Sequence, residues 1–88
     1  MAQPTFPAQI LTPEGVLYEG QATGVKVPGA SGQFEVLSGH APILSSLESG
    51  RVSVRGPEGE LHFHVTGGFV EVNREKLTLL AESATQES

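Results

Sequence analysis

The sequence predicts an all-β fold, an antiparallel β-sandwich or flattened barrel of many short strands. Eleven Gly and six Pro punctuate the 88 residues at short intervals. Between them, apolar residues alternate with polar ones, which is the period of strands and not of helices. We expect one domain over residues 1–84, followed by a polar tail over residues 85–88.

The first strand and its turn are indicated by alternation and by turn residues. Phe6, Ala8 and Ile10 fall on one face of the strand. Pro7 cannot donate a hydrogen bond to a neighbouring strand, so we expect this strand at an edge of the sheet. Residues 12–15 have Pro and Gly where a type I turn favours them.

The middle of the chain continues in the same way. A second strand begins at residues 16–18, and residues 25–27 and 33–37 alternate as further strands. Residues 28–32 and 38–42 are rich in turn residues and predict loops.

The clearest hairpin covers residues 51–65, around a loop at residues 56–59. In this register Arg55 faces Glu60 as a pair of opposite charges. A slip of one residue would move every apolar side chain to the outer face. The other cross-strand pairs are Val54 with Leu61 and Val52 with Phe63 on the inner side, and Ser53 with His62 and Arg51 with His64 on the outer side.

The last hairpin joins residues 69–72 and 77–80 around a turn at residues 73–76, after a bend at Gly67 and Gly68. Residues 81–88 are polar and acidic, so we expect them to fray or to begin a helix.

Composition excludes several classes of protein. A net charge of −5 makes nucleic acid and anionic membrane surfaces poor partners. With no Cys, disulfides and Cys-based zinc sites are excluded. No apolar run approaches the roughly 20 residues of a membrane helix. Residues 1–6 do not have the basic and apolar segments of a secretory signal.

Candidate chemistry is sparse. The turn glycines do not have the spacing of a phosphate-binding loop. His62 and His64 share a strand face and could hold a metal, but the sequence assigns no third ligand. His40 lies in a loop near Ser38 without the context of an activated nucleophile. No pair of carboxylates is spaced for acid–base chemistry. The residues alone favour a small β-sandwich that binds a partner.

Four stretches, in this order along the chain, resemble the epsilon subunits of F-type ATP synthases. The Gly-His-Ala-Pro loop is the most specific of them, and the resemblance covers nearly the whole chain from Phe6 to Ala84. The stretches are Thr12-Pro13-Glu14-Gly15-Val16-Leu17-Tyr18-Glu19-Gly20, Gly39-His40-Ala41-Pro42-Ile43-Leu44, Gly67-Gly68-Phe69-Val70-Glu71-Val72 and Leu77-Thr78-Leu79-Leu80-Ala81-Glu82-Ser83-Ala84.

This resemblance implies a ten-stranded β-sandwich in the central stalk of the rotor. It implies binding to the gamma subunit and to the ring of c subunits, so that proton translocation is coupled to ATP synthesis. It implies a peripheral position on the cytoplasmic face of the bacterial inner membrane, with membrane contact only through the complex. It implies no catalytic residue, no metal and no cofactor.

The resemblance also assigns contact residues. Ser31, Gly32 and Gln33 match the loop that faces the c-ring, where the family commonly has Glu at the position of Gln33. The residues that match the gamma side are Thr12, His40, Ala41, Pro42 and Ser45, with Thr12 in a turn on the same side as the His40 loop.

Most epsilon subunits continue into a C-terminal pair of helices, which bind ATP in some bacteria and inhibit ATP hydrolysis. This sequence stops at Ser88, so neither function is carried over, and we expect a natural short form. Four leucines are out of phase with, or beside, the inward positions of their strands. They form either an apolar patch for gamma or a locally two-sided core. These are Leu11, Leu17, Leu37 and Leu44.

Two alternatives to a rotor-stalk subunit stay open from the sequence. One is a β-sandwich adaptor of an unrelated assembly, which would have no affinity for gamma. The other is a small enzyme or metal protein that uses His40, His62 or His64.

Overall fold

The computed structural model describes residues 4–87, and these residues form ten β-strands. Residues 1–3 and 88, which the sequence analysis placed in the domain and in the tail, lie outside the described residues. The strands are β1 (Phe6–Thr12), β2 (Gly15–Ala22), β3 (Gly24–Gly29), β4 (Gly32–Leu37), β5 (Ile43–Leu47), β6 (Gly50–Gly56), β7 (Gly59–Val65), β8 (Gly68–Val72), β9 (Leu77–Ala81) and β10 (Ala84–Glu87).

The strands pair into one nearly closed sheet in the order β10-β7-β6-β3-β5-β8-β9-β1-β2, with β4 added beside β3. The link between β3 and β5 is a single pair, Gly29 with Leu47. The sheet therefore folds at this link into two five-stranded layers. The polar layer is β10-β7-β6-β3-β4 and the apolar layer is β5-β8-β9-β1-β2, named for the outer faces described below. The predicted all-β sandwich or flattened barrel is confirmed.

The core lies between the two layers and is built from alternate residues of both. Its largest fully buried side chain is Phe63, and Ile10, Leu77 and Leu79 are also fully buried. Burying a side chain of this size stabilises the fold by about 1.5–3 kcal/mol. The remaining core is mainly Val, a residue that packs well in pleated strands.

The hairpin of β6 and β7 has the predicted register, from Arg51 opposite His64 to Gly56 opposite Gly59. Arg55 and Glu60 are cross-strand neighbours as predicted, but the Arg55 guanidinium makes its ion pair with Glu35, with Nη1 and Oε2 3.1 Å apart. This pair reaches over Gly24 of β3, where a Cβ atom would collide with both side chains.

The edge position predicted for β1 is wrong, because β1 lies between β2 and β9. It pairs antiparallel with β2 and parallel with β9. Pro7 is tolerated because the pairing with β9 begins only at Ala8, opposite Leu77. Pro7 therefore stands near the strand start, where a missing N–H costs least.

The fraying or helical start expected after Leu80 is also wrong for the described residues. Ala81 ends β9, and Ala84–Glu87 form β10, which pairs antiparallel with β7 from Ala84 opposite Val65 to Glu87 opposite His62. β10 thus includes residues that the sequence analysis assigned to a polar tail.

The predicted bend at Gly67 and Gly68 is present between β7 and β8. Their φ angles are 137° and 135°, in a region that side chains of other residues rarely adopt. A Cβ atom on Gly68 would overlap the carbonyl oxygen of Leu80 on β9. Glycine therefore allows β8 to approach β9 at the start of their pairing.

Candidate binding surfaces

The outer face of the apolar layer carries a row of large apolar side chains, of which Leu11 is half-buried and the others are exposed. Cross-strand pairing places Phe69 of β8 opposite Leu80 of β9, Leu80 opposite Leu11 of β1, and Leu11 opposite Val16 of β2. Phe69, Leu80 and Val16 are 53%, 51% and 58% exposed. Leu44 of β5 lies on the same face and is 72% exposed. We call these five residues the apolar row.

Single exposed leucines are common in soluble proteins and need no explanation. The apolar row differs because four of its members adjoin one another across four strands, with Leu44 on the next strand opposite Glu71. Contiguous apolar surface of this kind marks a contact site. The fold does not require it, since the inward residues Val70 and Leu79 of the same strands already fill the core.

The outer face of the polar layer has a different chemistry. Arg55 pairs with Glu35, and the Arg51 Nε donates to Glu87 Oε1 over 2.9 Å. Ser53 Oγ and His62 Nδ1 are 3.0 Å apart. Among the described residues, this face therefore lacks a contiguous apolar row and presents mainly polar groups to a partner.

The four leucines singled out from the sequence divide between these surfaces. Leu11 and Leu44 belong to the apolar row. Leu17 has no cross-strand partner, because a bulge shifts the register between β1 and β2, and it is 38% exposed. Leu37 is 48% exposed on β4 of the other layer. Two of the four leucines therefore belong to an apolar patch, and its contact with gamma stays a prediction.

The loop between β4 and β5 contains the Gly-His-Ala-Pro motif, and His40, Ala41 and Pro42 are all exposed. Gly39 has φ 83°, which lets the chain turn back so that the His40 N–H donates to the Leu37 carbonyl over 3.0 Å. The His40 Nδ1 lies 2.7 Å from the Ala41 carbonyl oxygen. A carbonyl only accepts, so Nδ1 bears a proton and Nε2 is the ring nitrogen left for a partner.

This loop forms one wall of a groove of about 380 Å³. The opposite wall is the turn over residues 73–76 between β8 and β9, and the start of β1 closes one side. The Asn73 side chain fixes that turn, because its Oδ1 accepts from the N–H groups of Glu75 and Lys76 over 2.8 and 3.0 Å. We call this space the His40 groove.

Of the residues predicted to face gamma, the structure brings together His40, Ala41 and Pro42 but not the other two. Thr12 lies at the far end of β1 from the groove, roughly 17 Å away at the usual rise per strand residue. Its Oγ1 accepts from the Glu14 N–H in the β1–β2 turn. Ser45 alternates with Leu44 on β5, so it points towards the core side and is half-buried.

The residues predicted to face the c-ring form the turn between β3 and β4. Ser31, Gly32 and Gln33 are exposed, and Gly32 has φ 130°. The Ala30 N–H donates to the Ser46 carbonyl over 3.0 Å, which ties this turn to the end of β5. The turn and the His40 groove thus lie at opposite ends of β4.

The histidine alternatives gain no support from the geometry. Within residues 4–87, no three His, Cys, Asp or Glu side chains come close enough together to hold a metal ion. His62 instead contacts Ser53 and lies 3.6 Å from Glu60. Nor does any helix in the described residues have the length and apolar character to cross a membrane.

Sequence reasoning missed Phe69 and Leu80, the centre of the apolar row. The signal was present, because the predicted hairpin around residues 73–76 fixes their register opposite each other. Val70 and Leu79 occupy the inward positions, so alternation alone would have placed Phe69 and Leu80 on the outer face.

Comparison with known proteins identifies the family. A family model described as "ATP synthase, Delta/Epsilon chain, beta-sandwich domain" matches residues 5–87. The chain belongs to this family. It is 38% identical over 81 residues to an ATP synthase epsilon chain of Chlorobium limicola, covering 91% of this chain and 92% of that relative. An ATP synthase epsilon chain of Caulobacter vibrioides is 40% identical over 77 residues, covering 88% and 90%.

The fold also resembles a chain in a cryo-EM structure of the Euglena gracilis mitochondrial ATP synthase, OSCP/F1/c-ring. The TM-score is 0.87 at 18% identity, over 98% of this chain and 56% of that chain. The resemblance to epsilon subunits is confirmed. Epsilon chains are structural and not catalytic subunits of ATP synthase, which confirms the assignment of this chain as a non-enzyme.

Proposed function

We propose that this chain is a rotor-stalk subunit of an F-type ATP synthase, which binds gamma and the c-ring and so couples proton translocation to ATP synthesis. The single observation that supports a binding role best is the apolar row, an exposed contiguous surface on a fold whose core is already complete. Family membership and the names of the relatives support ATP synthase as the complex that contains the partner.

In this proposal the apolar layer faces gamma. His40, Ala41 and Pro42 contact gamma at one end of the layer and Thr12 at the other, with the apolar row between them. Ser45 contributes by orienting its neighbours, since its Oγ donates to the Ser46 carbonyl over 3.0 Å. A large apolar surface with polar loops at its rim matches the usual anatomy of a stable interface.

The turn of Ser31, Gly32 and Gln33 contacts the polar loops of the c-ring. An exposed turn with an amide side chain can donate and accept hydrogen bonds. The complex would hold the chain at the cytoplasmic face of the bacterial inner membrane, without membrane contact of its own. Both relatives described above are bacterial, which supports this location.

The test is binding to the gamma subunit of the same organism, measured by co-purification and by titration. We expect the wild-type chain to bind, and Phe69→Ser with Leu80→Ser to lower the affinity at least about tenfold, because buried apolar anchors dominate interfaces. Leu61→Ser is the control for loss of a partly exposed leucine elsewhere, since Leu61 lies on β7 of the polar layer, opposite the core residue Val54, and is 38% exposed. Urea unfolding checks that each variant folds.

Two results would contradict the proposal. If the folded wild-type chain does not bind gamma, the adaptor of an unrelated assembly becomes the better interpretation. If Leu61→Ser weakens binding as much as the double change, the apolar row is not the gamma-facing surface. Pro42→Asp, in a variant that still folds, tests the loop end of the same surface.

A further inference from the structure

The His40 groove concentrates positive charge in an acidic protein. The chain has five Lys and Arg against ten Asp and Glu. Two of those five, Arg74 and Lys76, line this groove together with His40. Arg51 and Arg55, by contrast, form ion pairs on the polar layer.

The two cations of the groove are available to a partner. Within residues 4–87, no carboxylate lies within 4.0 Å of the Arg74 guanidinium or the Lys76 ammonium in an ion pair. Both residues are exposed. Glu75 lines the groove too, so the fixed charges there sum to about one positive charge.

The groove is also built to hold its shape. The Asn73 hydrogen bonds fix the turn that positions Arg74 and Lys76. The hydrogen bonds of His40 to Leu37 and Ala41 fix the opposite wall. A backbone that is already fixed has less freedom to lose when a ligand binds, which favours affinity.

Apolar residues also line the groove, among them Phe6, Leu37, Pro42 and Val72. A ligand that matches this surface has a carboxylate for the cations and apolar atoms beside it. Arginine suits a carboxylate because its planar group can donate two parallel hydrogen bonds.

We propose that the His40 groove binds an acidic side chain of the gamma subunit, flanked by apolar residues. This inference rests on the proposed function and adds the chemistry of the partner segment. Anionic lipid is a weaker candidate, because lipid-binding patches use clusters of about four to eight Lys and Arg. The net charge of −5 opposes approach to such a surface.

The experiment compares two substitutions that make the same chemical change. Lys76→Glu acts at the groove, and Lys26→Glu acts at an exposed position on β3 of the polar layer. Affinity for gamma is measured by titration at about 0.05 M and about 0.5 M KCl, which screen exposed charges differently. Urea unfolding of each variant checks that it folds.

We expect Lys76→Glu and Arg74→Glu each to weaken binding by about tenfold or more at low salt. Lys26→Glu should change the affinity for gamma by less than about twofold. The difference in affinity between the Lys76→Glu and Lys26→Glu variants should shrink at high salt, because the interaction is ionic. Lys76→Arg should retain binding.

Each other outcome decides against the inference. Equal weakening by Lys26→Glu and Lys76→Glu would mean an effect of net charge, and no weakening by either would mean an unused groove. If phosphatidylcholine–phosphatidylglycerol vesicles bind the chain through Lys76, the ligand is lipid. In all these cases the proposed function still stands as long as the wild-type chain binds gamma. If the wild-type chain does not bind gamma, both the proposed function and the groove proposal are contradicted.

Discussion

Tyr18 shows how one residue links the core to the surface. Its ring packs on Phe63, with centroids 6.0 Å apart and an angle of 60° between the planes. It is half-buried at the rim, beside the β6–β7 hairpin. Removal from water disfavours the charged phenolate, so burial raises the pKa of Tyr18 above 10.0.

Folding stability should therefore fall with rising pH because of Tyr18. Below the unfolded pKa, about 10, the phenol is protonated in both states and the contribution is fully present. As pH rises towards the higher folded pKa, the unfolded state loses its proton first and becomes favoured. Tyr18→Phe should remove this part of the pH dependence.

The measurement is direct because Tyr18 is the only Tyr and there is no Trp. Tyrosinate absorbance is followed against pH in buffer and in urea, and unfolding free energies are compared for wild type and Tyr18→Phe. A titration midpoint that is the same in both solvents would contradict the prediction.

At the residue scale, sequence reasoning located loops better than it predicted the direction in which a strand side chain points. His40, Ala41 and Pro42 are exposed as a loop motif implies, because Gly and Pro mark loops locally. Ser45 points towards the core, since its direction depends on the phase of β5 and no turn next to it fixes that phase in the sequence. The partner of Arg55 was missed because Glu35 comes from a strand that is distant in sequence.

At the scale of elements, the hairpins were predictable and the long-range pairings were not. The register of β6 with β7 follows from one turn and from alternation, both of which are local. The placement of β1 beside β9 joins strands about seventy residues apart, and only the closing of the whole sheet determines it. Pro7 therefore led to the prediction of an edge strand, whereas β1 lies inside the sheet between β2 and β9.

β10 offers an element-scale test, because it covers the edge of β7. Deleting residues 84–88 should lower the free energy of unfolding by about 1–2 kcal/mol, since a few strand hydrogen bonds and the packing of Ala84 are lost. Amide exchange along β7 should become faster. Urea unfolding and hydrogen exchange measure the two effects.

Glu87→Gln is the matched control for this deletion, because it removes only the exposed ion pair with Arg51. Its effect should stay within about 1 kcal/mol. If the deletion leaves both stability and exchange unchanged, residues 85–88 act as a tail and β10 does not contribute to the fold.

At the scale of the whole molecule, the two layers present different outer faces. One outer face presents the apolar row beside polar residues such as Gln9 and Glu19, and the other is mainly polar and internally ion-paired. The turn of Ser31, Gly32 and Gln33 projects from the end of the polar layer, and alternation along β4 directs Gln33 away from the apolar row. A rigid sandwich can thus hold two different partners in a fixed relative position.

This division predicts that the two contacts can be lost separately. Gln33→Ala should leave the affinity for gamma within about twofold, because its side chain does not reach the apolar row. It should weaken attachment to the c-ring by about two- to tenfold, the worth of one net hydrogen bond. In vesicles that contain the enzyme assembled with the Gln33→Ala variant, ATP-driven proton pumping should fall relative to ATP hydrolysis. The pair Phe69→Ser and Leu80→Ser should affect the two contacts in the reverse order, so that binding to gamma is lost before attachment to the c-ring. If Gln33→Ala weakens gamma binding as much as that pair does, the two layers form one continuous interface.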